Sequence, residues 1–205
     1  AIVCATDTSL ATNVEAPLSP LTWISKKIPR VVRSTLSAEA YAMSKSVDIL
    51  GWIRALWGCI NVPSFPWQNL EECFKTLHPA LIVTDCKSLY DLVTRTATPS
   101  CEEFRTTLEV LLIKQRCQEN AVFRCIPTTV MLADALTKPM DSTFLRTILC
   151  RGRFKLHAAP EDADRCTHRK RVLEWLKEPP SQPAPNVLET PPPLRRVSFS
   201  PDSKG

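Results

Sequence analysis

The stretch LTWISKKIPRVVRSTLSAEAYA, residues 21–42, contains one acidic residue, Glu39. Its first part, residues 21–27, is rich in the β-favouring residues Thr, Trp and Ile and predicts a strand. From Ser34 or Thr35, each of which suits a helix cap, apolar residues recur at three- and four-residue steps as far as about Cys59. The stretch therefore predicts a strand followed by a long helix whose first turns carry a carboxylate.

The same patterns predict the other elements. Residues 1–10 predict a strand that pairs antiparallel with residues 21–27, with a turn at the prolines of 17–20. Residues 61–79, with three further prolines, predict a connection. The remaining predictions are strands at 80–85 and 121–126 and helices at 88–95, 102–120, 132–138, 144–149 and 165–177. This order predicts an α/β fold in which helices cover a mixed sheet.

Helical wheels predict which faces pack against the sheet. In the first helix Glu39 points in the same direction as Met43, Ser46, Leu50 and Trp57, so its carboxylate is expected at the packed face or at its rim. Trp23 and Trp57 are accordingly expected to pack in the core rather than to stack on bases. In the helix at 102–120 the predicted inward side chains are Phe104, Leu108, Leu111 and Leu112.

Length and composition predict one domain with an appendage. The chain has 205 residues, 44% of them hydrophobic, which is enough for one sizeable core. A charged helical segment at 158–178 precedes a proline-rich tail at 179–205, which is expected to be disordered because eight of the last 28 residues are proline. With no membrane-length apolar run and no signal peptide in view, an intracellular location, cytoplasmic or nuclear, is expected.

The nine cysteines predict reduced thiols rather than disulfides or a zinc site. Their number is odd, no CxxC pair occurs, and most lie in apolar segments. Cys166 and His168 come nearest to a ligand pair, and nothing close in the sequence completes it.

Three carboxylates occur where core residues are expected. Glu39 lies on the long helix, Asp85 follows an apolar strand at the end where α/β sheets place ligands, and Asp134 lies between two leucines. Three clustered anions repel one another unless a divalent cation neutralises them, and oxygen ligands favour Mg²⁺. Two such ions can activate water and stabilise the leaving oxygen of a phosphodiester.

The residues alone leave ordinary structural roles open for each acid. Glu39 could form a salt bridge with Arg33 or Lys45. Asp85 could cap the helix that opens at Ser88, and Asp134 could complement a helix dipole.

Four motifs together resemble the ribonuclease H segment of copia-type retrotransposon Pol polyproteins. They are WISKK at 23–27, RSTLSAEAYA at 33–42, VTDCKSLYD at 83–91 and LADALTKP at 132–139, and the resemblance covers approximately residues 1–157. It implies a ribonuclease H-like fold in which Glu39, Asp85 and Asp134 are metal-binding catalytic carboxylates, with Mg²⁺ or Mn²⁺ as cofactor. The implied reaction is hydrolysis of the RNA strand of an RNA·DNA hybrid during reverse transcription, and a reverse transcriptase segment of the same polyprotein is an implied partner.

Two departures from the family pattern lower the expected activity. The family opens with an additional strand at the centre of its sheet that carries the first catalytic aspartate. Residues 1–10 resemble the strand after it, and Asp7 is a poor substitute. Relatives also carry a polar or histidine-containing loop where this chain has residues 127–130, PTTV. We therefore expect an N-terminally incomplete domain with weak or lost activity, or alternatively a non-catalytic module that binds nucleic acid or protein.

Two further groups of residues suggest binding. Lys26, Lys27, Arg30 and Arg33 form a basic patch suited to phosphate contact, and the net charge of +5 permits a polyanionic partner. In the tail, Arg196, Val197 and Phe199 resemble the basic, Val, any, Phe peptide that docks to type 1 protein phosphatase. Phosphorylation of Ser198 is expected to weaken such docking because it adds charge between Val197 and Phe199.

Overall fold

A computed structural model describes residues 1–118, 120–137, 141–157 and 165–179, except for the side chains of 70, 71 and 165–169. The strands are β1 (Ile2–Thr6), β2 (Ala16–Trp23), β3 (Ala80–Thr84), β4 (Ala121–Cys125) and β5 (Arg153–Phe154). The α-helices are α1 (Thr35–Asn61), α2 (Leu70–Thr76), α3 (Lys87–Thr94), α4 (Phe104–Gln118), α5 (Thr143–Arg151) and α6 (Arg165–Lys177). The predicted α/β class is confirmed.

The strands form two small sheets instead of the predicted single mixed sheet. One is antiparallel with the order β1-β2-β5, and the other is the parallel pair β3-β4. Among the described residues no strand lies between β1 and β3 to hydrogen-bond them together. The two sheets meet instead through side chains, because Cys4 of β1 and Leu81 and Val83 of β3 pack against the same core.

Strand β2 begins earlier than predicted. It runs through Pro17 and Pro20, where a turn was expected, and it ends at Trp23 rather than at 27. The strand accommodates Pro20 beside an irregularity in the β1-β2 register: Val3 pairs with Thr22, but Cys4 pairs with Pro20. A bulge of this kind is one of the places where a sheet tolerates a residue without an N–H group. The predicted antiparallel pairing of the first two strands is confirmed.

Strand β3 separates two apolar cores. Its Ile82 is buried against α1, α3 and α4, whose buried members include Val47, Leu89, Val110 and Ile113. Its neighbours Leu81 and Val83 point the other way, as alternation along a strand requires. On that side the core contains Leu10, Leu18, Ile126, Val130, Ile148 and Phe154, together with Val172 and Trp175 of α6. Helix α6, predicted as a charged helical segment that follows the domain at 1–157, therefore contributes Val172 and Trp175 to this core.

Helix α1 is confirmed together with its cap, since the Ser34 hydroxyl accepts a hydrogen bond from the Ser37 N–H. Its predicted inward face is confirmed at Met43 and Leu50, which pack against the core shared with α3 and α4, and is wrong at Trp57. The fully buried residues are Ser37, Ala40, Ser44, Val47 and Gly58. Trp57 and also Trp23 are exposed rather than in the core. The predicted face was chosen from large apolar residues. The fully buried positions carry mostly small residues, which allow other elements to approach closely.

Helix α4 shows the same type of error. Its buried residues are Thr106, Val110 and Ile113, while Phe104, Leu108 and Leu111 are exposed. Thr106 meets α1 through a fully buried hydrogen bond between its hydroxyl and that of Ser37, with an oxygen separation of 2.6 Å. A polar pair that satisfies itself in this way occupies positions where periodicity alone predicts apolar side chains.

We expect Ser37→Ala to lower the free energy of unfolding by about 1–3 kcal/mol, because it leaves the buried Thr106 hydroxyl without this partner. Urea unfolding measures the change. The control is Ser46→Ala on the same helix, whose hydroxyl donates to the Ala42 carbonyl near solvent and whose loss should cost no more than about 0.5 kcal/mol. Equal losses in the two variants would contradict the buried pair.

Helix α2 lies within the segment predicted as a connection. Its cap is Asn69, whose side-chain oxygen accepts from the Glu72 N–H at 3.4 Å. The predicted helix at 132–138 is a 3₁₀ helix over Leu132–Leu136, and the other predicted helices and strands agree with the structure within a few residues. The tail with Arg196, Val197 and Phe199 lies outside the described residues.

The described cysteines are free thiols, as predicted, and of them Cys59 and Cys150 are exposed. Cys166 and His168 lie on α6, but their side chains are among those not described. In the part of the chain that the structure describes, no helix combines the length and apolar character needed to cross a membrane.

Candidate functional site

The carboxyl end of β3 carries the most distinctive set of polar groups. Asp85 directly follows the strand and is half-buried, and the Cys86 N–H donates to the Thr84 hydroxyl at 3.1 Å. Helix α3 begins at Lys87, so that Cys86 occupies the N-cap position, and its side chain makes no capping hydrogen bond. Asp85 therefore does not occupy the capping position that was one of its predicted ordinary roles.

Glu39 reaches the same place from α1. Burial raises the pKa of the Cys86 thiol, and the negative charges of Glu39 and Asp85 raise it further, against hydrogen bonds from the Leu89 and Ser88 N–H groups. Both carboxylates therefore lie close enough to Cys86 to act on it. Lys45, one of the partners predicted for Glu39, forms an exposed ion pair with Asp48 at 3.7 Å.

A second thiol lies near Asp85. Cys125 ends β4 and is the register partner of Thr84. Burial raises its pKa, the nearby Lys87 ammonium lowers it, and the charges of Asp85 and Asp91 raise it. Lys87 is itself paired with Asp91 at 2.7 Å. Neither thiol was predicted to belong to the candidate site, although a cysteine directly after the strand-ending aspartate is a signal in the sequence.

The start of β1 also lies near Glu39. The Ala1 ammonium donates to the Ile24 carbonyl at 2.9 Å. Burial lowers the pKa of this ammonium, and the Glu39 charge opposes that shift. The edge of the antiparallel sheet therefore lies near Glu39.

Asp134 is buried in the 3₁₀ helix Leu132–Leu136. This short helix is held to the segment after β2 by the Ser25 hydroxyl, which donates to the Leu136 carbonyl at 2.8 Å. Within the described ranges, no three His, Cys, Asp or Glu residues are grouped so that they could hold a metal ion. Glu39 and Asp85 are donors of the kind that Mg²⁺ prefers, but the donor set is incomplete.

The basic patch is smaller than predicted. Lys26, Lys27 and Arg33 are exposed. Arg30 instead pairs with Glu109 at 3.5 Å and lies over the Tyr41 ring, with its guanidinium carbon 4.7 Å from the ring centre. Three cations therefore remain available for phosphate contact.

No protein-family model matches this chain, and no curated protein and no solved structure matches it significantly. The function is therefore inferred from the residues and their geometry.

Proposed function

We propose that this chain is a ribonuclease H-like domain of copia-type retrotransposon origin, in which hydrolysis of the RNA strand of RNA·DNA hybrids is weak or lost. The observation that carries the proposal is that Glu39 and Asp85 adjoin the same core, because their sequence neighbours Ala40 and Cys86 pack in one cluster and both charges act on the Cys86 thiol. The two acids come from separate elements and belong to separate motifs of the resemblance. Chance similarity of short motifs gives no reason for them to meet.

The location of this pair also supports the proposal. Asp85 lies at the carboxyl end of a parallel strand, where α/β sheets bind ligands. The exposed Lys26, Lys27 and Arg33 follow in the segment between β2 and α1, the helix that carries Glu39. Two carboxylates that can bind a metal ion, together with lysine and arginine side chains that can bind phosphate, suit a polyanionic substrate.

Activity is expected to be weak or lost because the described residues do not group a full set of metal ligands. Two-metal hydrolysis needs ligands for both ions. In the part of the chain that the structure describes, Glu39, Asp85 and Asp134 do not form one group of three metal ligands. Mg²⁺ or Mn²⁺ would supply charge neutralisation and activated water if it were bound. Because the donor set is incomplete, we derive no hydrolytic step through either ion. The separation of β1 from β3 also accords with the family strand expected to be missing.

The same incompleteness favours a second candidate, a non-catalytic module that binds nucleic acid or protein. Lys26, Lys27 and Arg33 would then provide salt-sensitive phosphate contacts without cleavage. The two candidates differ in one observable, namely whether bound hybrid is cut.

Cleavage of a labelled RNA·DNA hybrid in Mg²⁺ or Mn²⁺ tests the proposal. We expect the chain to cleave no faster than Asp85→Asn. A chain extended upstream of Ala1 by a strand that carries an aspartate should gain activity and lose it again with Asp85→Asn. Robust cleavage by the unextended chain would contradict the loss of activity. Inactivity of a folded extended chain that still binds hybrid would favour the binding module.

A further inference from the structure

The outer surface of α1 is an apolar face that no described part of the chain covers. In its second half Trp52, Leu56, Trp57 and Ile60 are 73, 59, 55 and 80% exposed. Ile49 and Ile53, which are half-buried, lie between them. At 3.6 residues per turn these six side chains occupy about 140° of the helix circumference. We call them the outer face of α1.

The outer face lies opposite the surface that packs into the domain. The packed surface carries Ala40, Ser44, Val47 and Gly58, which the same helical geometry places on the other side of the axis. In the second half of α1 the fully buried residue is Gly58, whereas the large apolar side chains lie on the outer side. A contiguous exposed apolar face of this kind indicates a partner.

The outer face carries no charge. Between Ile49 and Asn61 the sequence has one charged residue, Arg54. Its guanidinium is directed toward α2, where it donates to the His78 carbonyl at 3.0 Å and lies 4.9 Å from the centre of the Phe74 ring. A partner therefore needs no complementary charge, and two copies of the face meet without repulsion.

The area of the outer face suits a dimer. Large aromatic side chains bury about 150–250 Å² each, so the exposed parts of the six residues present on the order of 500 Å². With its polar rim, which includes Asp48 directly before Ile49 and Lys45 one turn before it, the face approaches the roughly 800 Å² per partner of a standard interface. Trp52 and Trp57, at the two edges of the face, are of the residue type that most often dominates binding energy.

We propose that a second copy of this chain covers the outer face, in a twofold dimer whose α1 helices cross. Residue spacings of three and four along the face are those with which helices pack against one another. The dimer does not depend on nuclease activity. Its contact residues do not include Glu39, which lies earlier in α1, or Asp85, which follows β3.

Sedimentation velocity of the full chain across the micromolar range tests the dimer. We expect a concentration-dependent shift from monomer to dimer, accompanied by a blue shift of tryptophan emission. Leu56→Glu and Ile60→Glu place a charge on the outer face and should each weaken association by at least about tenfold. Both positions are exposed in the monomer, and circular dichroism checks that the variants remain folded.

The matched control is Leu108→Glu, which places the same charge on an exposed leucine of α4 and should leave association unchanged. A chain that stays monomeric at every concentration would overturn the proposal and would leave the face to its own tail or to a different protein. Dimerisation of folded Leu56→Glu and Ile60→Glu with the strength of the parent would also overturn it.

Discussion

Replacing Trp175 by alanine is expected to lower the free energy of unfolding by about 3–5 kcal/mol. Trp175 lies on α6, is 8% exposed and belongs to the core that contains Phe154 and Val130. Its ring meets that of His157 edge to face at 4.9 Å, and the Arg151 guanidinium carbon lies 4.5 Å from its centre. Truncation removes these contacts and leaves a cavity. Urea unfolding, followed by far-ultraviolet circular dichroism, measures the loss.

Leu173→Ala is the control because it truncates a residue of the same helix that is 47% exposed. It should cost no more than about 1 kcal/mol. If the two variants unfold at the same urea concentration, α6 does not contribute to the core. The expected difference has a consequence for the domain boundary, because the folded unit then extends beyond residue 157, where the family resemblance ends.

Glu15→Gln is expected to destabilise the chain by about 3–5 kcal/mol, the usual cost of removing one partner from a buried ionic cluster. One oxygen of Glu15 accepts from Arg151 at 3.0 and 3.1 Å and lies 3.4 Å from Arg153. The Glu15 and Arg151 side chains are almost fully buried. The substitution leaves two guanidinium groups in the interior with only a neutral amide between them. It therefore weakens the junction of β2, β5 and α5.

The matched control is Glu72→Gln, which removes an exposed ion pair with Lys75 of 3.0 Å and should cost at most about 1 kcal/mol. Urea midpoints at low and high salt separate the two cases. Salt screens the exposed pair and shrinks its small effect, whereas the loss at the buried cluster should persist. A Glu15→Gln variant as stable as Glu72→Gln would contradict the buried cluster.

Local chemistry explains why most elements could be predicted. The Ser34 cap, the apolar run before Asp85 and the proline after Ile126 act within a few residues, so they mark boundaries regardless of the rest of the fold. The exceptions are α2, hidden between prolines and capped by Asn69, and the early start of β2. In both cases nearby prolines predicted an interruption, whereas α2 forms between them and, in β2, a bulge makes Pro20 acceptable within the strand.

The helix faces could be predicted only in part because they depend on the neighbouring element. Periodicity ranks faces by the size and hydrophobicity of their side chains, and it selected Trp57 and Leu108. The packed surfaces of α1 and α4 instead use small residues and the Ser37–Thr106 hydrogen bond, which become favourable only when two helices approach closely. Trp57 and Leu108 were thereby left exposed.

The candidate site could also be predicted only in part from the sequence. The sequence by itself determined the α/β class, most helix and strand positions, and the candidate acids Glu39, Asp85 and Asp134, because these follow from local patterns and motifs. Only the tertiary structure decided that the neighbours of Glu39 and Asp85, Ala40 and Cys86, pack in one cluster, that Glu109 pairs with Arg30, and that the strands form two sheets. The reason is physical: local free energies select each element, whereas distances between elements depend on packing across the whole chain.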